Sequence, residues 1–179
     1  MITAETSGLL IIDVQGKLAE LVSNSQSMMT NISKLVKSCE ILSIPIVILE
    51  QNPHGLGPTA PAIKNSVQSF NPIEKHSFNA LDEEHIKSRI QTLNKQNWLV
   101  AGIEAHICVY QTVKGLLGEG FSVEVVADCI SSRHQPCIQL AIENMRRVGA
   151  NITTLEMAMF EVMKSSKNEY FRDVLNIIK

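Results

Sequence analysis

Residues 97–110 read NWLVAGIEAHICVY. The first six form a strand-like apolar run that stops at Gly102. Glu104, Ala105 and His106 follow, and Cys108 then stands where a new apolar periodicity begins. Val109, Thr112, Val113, Leu116 and Leu117 recur at helical spacing, and Gly118 to Gly120 end that helix. A strand that passes through a short polar turn into a helix is the repeating half of a β-α-β chain.

The same alternation continues on both sides. GLLIIDV (8–14) is a continuous apolar run ending in an acid, as in a strand buried on both faces of a parallel sheet. Ile32, Leu35, Val36, Cys39 and Leu42 mark a helix, and IPIVILE (44–50) a second buried strand. QNPHGLGPTAPAIK (51–64) carries enough Pro and Gly to predict loop. PIEKHSFNAL (72–81) predicts a short extended piece and then a helix near 83–93, capped by Asn79 or Asp82. FSVEVVAD (121–128) and GANITTL (149–155) are further strands, with a helix between them opened by Pro136 and running to about Val148. Two more helices follow Glu156. Strands alternating with helices predict a three-layer α/β/α sandwich around a mainly parallel, doubly wound sheet. No repeat or linker interrupts the chain, so residues 1–179 are expected to form one domain.

Composition narrows the function. Of the 179 residues 45% are apolar and 19% charged, with a formal net charge of −2, which is ordinary globular chemistry. There is no basic stripe to favour nucleic acid and no apolar run of the ~18 residues a membrane span needs. The N-terminus lacks the basic region of a signal peptide, so a cytoplasmic protein is expected. The four cysteines (39, 108, 129, 137) form no C-x-x-C pair and no zinc spacing with the histidines, and are expected as reduced thiols.

In open sheets ligands bind beyond the C-terminal strand ends. Asp13 ends the first strand, Glu50 and Gln51 end the second, Lys75 lies in the extended piece, and Cys108 follows NWLVAG. A thiol ordinarily ionises near ~8.5. At a helix start, beside a lysine, Cys108 is expected at a lowered pKa. A carboxylate such as Asp13 would take its proton and hand it to a leaving amine. Spacing alone does not single these three out, since a chain this long offers other acids, lysines and cysteines.

Taken in order, LLIIDVQ, EQNPHGLGPTAP, EKHSFNAL, VAGIEAHICVYQTVKGLLGEGFSVEVVADCISSR and RRVGANITTLE resemble the isochorismatase-like cysteine hydrolases over essentially the whole chain. GIEAHICV joined to VVADCISSR is the specific part, and GLGPT points to the branch of isochorismatase-domain-containing proteins. The resemblance implies a catalytic triad of Asp13, Lys75 and Cys108. It also implies a cis peptide at Ile103–Glu104 and an oxyanion hole from the backbone amides of Glu104 and Cys108. The implied reaction is attack of Cys108 on a small amide or related carbonyl, through a thioester. Homo-oligomers, as dimers or tetramers, are implied as well.

The sequence departs from the metal-dependent nicotinamidases of this superfamily. Their Asp and His pair is absent from LEQNPHGLG, where only His54 remains. No metal and no cofactor are therefore expected. Gln51, Leu56, Phe78 and His106 are candidates to line the substrate pocket, by loop position.

Plainer readings stand beside these. A lone cysteine is most often a buried structural thiol, and Cys39, Cys129 and Cys137 are expected to be so. Asp13 alone suits a strand end, and His76 suits the surface. MAMFEVM (157–163) reads as core or as a subunit contact. A phospho-receiver is disfavoured because the strands end in LEQN and VAGIE, and a Rossmann dehydrogenase because no G-x-G-x-x-G follows a strand. A binding or scaffold protein on the same fold is the alternative to an enzyme.

Overall fold

The computed structural model describes residues 2–179. Its first strand, β1 (Ser7–Ile12), is buried along its whole length. A strand with no polar face must be covered on both sides, and the rest of the chain does this. The other strands are β2 (Ile46–Gln51), β3 (Ile73–Lys75), β4 (Asn97–Ile103), β5 (Ser122–Ser131) and β6 (Asn151–Thr153). They pair in the order β3-β2-β1-β4-β5-β6, and every pairing is parallel.

The helices are α1 (Gly16–Leu21), α2 (Ser25–Ile41), α3 (Pro53–Leu56), α4 (Pro61–Lys64), α5 (Glu84–Thr92), α6 (Tyr110–Gly118), α7 (Gln135–Arg147), α8 (Leu155–Met163) and α9 (Phe171–Ile178). The alternation of β1 shows how they divide. Leu9 and Ile11 pack with Ile32 and Leu35 of α2, Met159 of α8 and Val174 of α9. Leu10 and Ile12 pack on the other face with Ile90 of α5, Val113 of α6 and Met145 of α7. Burying such a side chain is worth ~1.5–3 kcal/mol, so a one-residue slip that exchanged the two sets is strongly opposed. The result is the three-layer α/β/α sandwich.

Three local features differ from the sequence reading. The Pro-rich 51–64 segment contains two single-turn helices, α3 and α4, each with Pro in its first turn. β5 runs to Ser131 because it bulges. Val100 pairs with Val125 but Gly102 pairs with Ile130, so Val126 to Cys129 lie opposite Ala101 alone. Asn79 caps a short 3₁₀ turn (Ala80–Asp82), accepting from the Leu81 amide at 3.1 Å, and not α5 itself.

The strand order reverses where β1 meets β4. Such a switch point opens a crevice beyond the C-terminal strand ends. The residues that leave β1 and β4 there include Asp13 and Cys108.

Candidate active site

Lys75, the last residue of the edge strand β3, is paired in register with Gln51. Its ammonium has three protons, and three acceptors surround it. They are Asp13 Oδ2 at 2.8 Å, Gln51 Oε1 at 2.6 Å and the Ser77 carbonyl at 3.1 Å. The Lys75 and Asp13 side chains are 0% and 3% exposed. Among the described residues no other lysine is so deeply buried. A buried charge needs this degree of pairing to persist.

The turn after Lys75 is held by Glu83. Its Oε1 accepts from the His76 amide at 2.9 Å, the Ser77 amide at 2.9 Å and the Ser77 hydroxyl at 2.8 Å. Those bonds, the Ser77 amide first, hold its carboxyl well below the usual range, at about 2.

Cys108 lies on a single wide turn (Ala105–Val109) with π-type spacing, ahead of α6. The Glu104 carbonyl receives the amides of both Ile107 (3.0 Å) and Val109 (3.3 Å). The expected regular α-helical first turn is therefore replaced by a wider one. The Ile103–Glu104 peptide just before it is cis. The Glu104 carboxylate accepts from the Arg133 amide (3.2 Å), Nε (2.9 Å) and Nη2 (3.3 Å). Burial alone would raise its pKa, but these Arg133 bonds together hold it below the ordinary value. The turn is thus tied to the loop that follows β5.

Cys108 and Asp13 are close enough for each to act on the ionisation of the other. Asp13 Oδ1 is buried and has no hydrogen-bond partner among the described residues. The electrostatics correct one expectation. The thiol pKa is not lowered but pushed up to about 12, by burial first and by the Asp13 anion second, with Lys75 pulling the other way. The Asp13 pKa is also raised, because burial outweighs the Lys75 ammonium. The thiol is thus held in its protonated form, and the Lys75 ammonium opposes the protonation of Asp13 that burial favours.

The pocket candidates divide. The Gln51 amide is committed to Lys75 and, through Nε2, to the His76 carbonyl at 2.6 Å. His106 Nδ1 meets Ser132 Oγ at 2.9 Å, which fixes the ring two residues before the thiol. Leu56 is 40% and Phe78 55% exposed. The Phe78 carbonyl accepts from Thr112 Oγ1 at 3.4 Å, one helical turn past Cys108. His76 is exposed and faces Glu74 at 3.5 Å. Among the described residues no cluster of three or more His, Cys, Asp or Glu is placed to hold a metal ion. Gln15, Ser77, Glu83 and Arg133 were not singled out in the sequence. Only Gln15, an amide two residues past the strand-ending acid, carried a local hint.

The isochorismatase domain family model matches residues 7–157. Isochorismatase domain-containing protein 2 of Danio rerio is 30% identical over 99% of this chain and 89% of its own length. The structure of MAR1 ribonuclease from Caenorhabditis elegans superposes with a TM-score of 0.93 at 33% identity, covering 99% of this chain and 91% of that one. The fold is shared too with the YcaC gene product of Escherichia coli, an octameric hydrolase of unknown specificity (TM-score 0.89, 21% identity, 99% and 94% covered). The chain belongs to the isochorismatase domain family.

Proposed function

We propose that this protein is a metal-independent cysteine hydrolase acting on a small amide or related C–N compound. The observation that carries the reading is one carboxylate shared between two partners. Asp13 holds Lys75 on Oδ2 and acts electrostatically on the Cys108 thiol, while its Oδ1 has no hydrogen-bond partner among the described residues.

The chemistry follows from where the proton starts. Cys108 Sγ bonds to the carbonyl carbon as its proton passes to Asp13, and the oxyanion is received by the backbone amides of Glu104 and Cys108. The C–N bond then breaks, and Asp13 returns the proton to the leaving nitrogen. Water attacks the thioester, gives a proton to Asp13, and the C–S bond breaks. Sulfur regains that proton as the acid departs. Lys75, donating to three acceptors, opposes protonation of Asp13 between steps.

The reading extends to a cytoplasmic homo-oligomer. Met157 (60% exposed) and Phe160 give α8 an apolar outer face, and the octameric YcaC protein shares the fold. Among the described residues no helix is long and apolar enough to cross a membrane.

The test is the pH dependence of Cys108 alkylation by iodoacetamide. A thiol assisted by Asp13 gains reactivity as that carboxyl ionises, then holds a plateau through neutral pH. Asp13→Asn loses the plateau, and its rate climbs about tenfold per pH unit, as for an unassisted thiol. Removing the anion also lets the thiol pKa fall, so the shape of the profile is the readout. A wild-type rate that climbs tenfold per unit from pH 6 to 9 overturns the reading. Substrate is then sought among small amides, ureido acids and hydroxamates, with Cys108→Ala as the blank. RNA is one arm of that screen, because the nematode relative is named a ribonuclease.

A further inference from the structure

β1 leaves the sheet at Asp13. The Asp13 amide still donates to the Leu49 carbonyl at 3.2 Å, and Ile12–Leu49 is the last paired rung. A φ of +54° then turns the chain out of the ladder, a conformation uncommon for residues other than glycine. The turn brings the carboxylate to Lys75. It also removes the rung that a continuing strand would have offered to Gln51.

Gln15 supplies that rung with its side chain. It is fully buried. Its Oε1 accepts from the Gln51 amide at 2.6 Å, and its Nε2 donates to the Gln51 carbonyl at 3.2 Å and the Gly57 carbonyl at 2.7 Å. A side-chain amide has one carbonyl and two N–H donors, and here both ends are engaged. Gln15 therefore acts as a peptide group of the missing strand.

The Gln51 side chain continues the chain of contacts. Oε1 accepts from Lys75 at 2.6 Å and Nε2 donates to the His76 carbonyl at 2.6 Å. An ammonium only donates and a carbonyl only accepts, so the amide has one orientation. It fixes the direction from which Lys75 meets Asp13.

We infer that Gln51 is the positioning residue for the Lys75 ammonium, and that Gln15 is the strut that lets Asp13 leave the sheet without releasing Gln51. The inference rests on the cysteine hydrolase reading and assigns two residues that act through the triad.

The experiment uses the full chain carrying Gln51→Met, Gln51→Glu or Gln15→Leu. Alkylation of Cys108 by iodoacetamide is followed from pH 5 to 9, beside thermal melting. Gln51→Met is expected to lower the plateau about tenfold, as small misplacements of a reacting group do. The onset of the plateau moves to higher pH, because the cation that opposes protonation of Asp13 is no longer held. Gln51→Glu keeps an acceptor for Lys75 in the same volume but adds an anion, so its onset moves further in the same direction. Gln15→Leu follows Gln51→Met with a smaller change. A merely structural role lowers the melting temperature and leaves the rate and onset of the folded protein unmoved. That result in the two Gln51 variants overturns the inference, and if Gln51→Met does not fold, Gln51→Glu decides it. A wild-type protein without a plateau overturns the hydrolase reading and this inference with it. Unmoved variants on a wild-type plateau overturn the positioning role alone.

Discussion

Two cysteine–aspartate couples are built into this sheet, and they differ in what the acid is doing. Cys129 lies within β5 next to Asp128, and Cys108 faces Asp13 across the switch point. Both thiols are buried and both are pushed to higher pKa. At Cys129 every contribution points one way, with burial first, then Asp128, then the neighbouring Cys39 thiol. Its aspartate is occupied with structure: Oδ1 accepts from the Leu155 amide at 2.8 Å, at the start of α8. At Cys108 an ammonium opposes the other contributions and one carboxylate oxygen stays open. A buried thiol beside an acid is therefore not in itself a reactive centre. The two couples differ in a third group, the Lys75 ammonium that pairs with Asp13 and opposes its protonation.

The largest expected effect breaks the pair apart directly. Cys108→Ala should abolish turnover of any substrate found, a loss of about 10⁴-fold or more on the precedent of nucleophile deletions. Cys129→Ser should leave turnover unchanged and cost about 1–3 kcal/mol in urea unfolding, from a hydroxyl placed in the core. Equal losses of activity in both variants would dissolve the contrast.

Lys75→Met comes next. It leaves Asp13 as a buried charge without its partner, at a cost of about 3–5 kcal/mol near neutral pH. Burial raises the folded pKa of Asp13, and without the Lys75 ammonium to oppose it the variant's folded pKa stands higher still. Above that pKa the variant carries the full penalty, and as pH falls through it Asp13 protonates and the penalty fades. Urea melts at pH 8 and pH 5 read this directly, with the gap to wild type narrowing at the lower value.

The smallest effect concerns the turn beneath Lys75. Glu83→Gln weakens the bonds to His76 and Ser77, a change of about 1 kcal/mol. The Glu83 carboxyl is depressed from 4.5 to about 2. Its contribution is complete above 4.5 and is lost as pH falls toward 2. An acid titration should show the wild type losing this increment in that window and Glu83→Gln lacking it.

The fold was legible because apolar runs such as GLLIIDV and NWLVAG admit few alternatives to buried parallel strands. Lys75 was hard to find physically, since three residues of edge strand leave little pattern and a lysine in sequence looks like any solvated lysine. The family resemblance, not spacing, singled it out. The thiol pKa was misjudged because sequence shows a helix start and a cation but not how little water reaches them. Gln51 was legible as a pocket candidate, but its hold on Lys75, like the role of Gln15, was not, for a related reason. Amides carry no charge and no periodicity, and their roles appear only when each donor is matched to its acceptor.

Gly102 carries a consequence of its own. A side-chain carbon there would collide with the main chain of Ile12, and the backbone already sits at φ +128°. The missing methyl therefore sets the gap between the strand that delivers the acid and the strand that delivers the sulfur. Alanine at this place would leave Asp13, Lys75 and Cys108 unchanged in the sequence and yet force the two central strands apart.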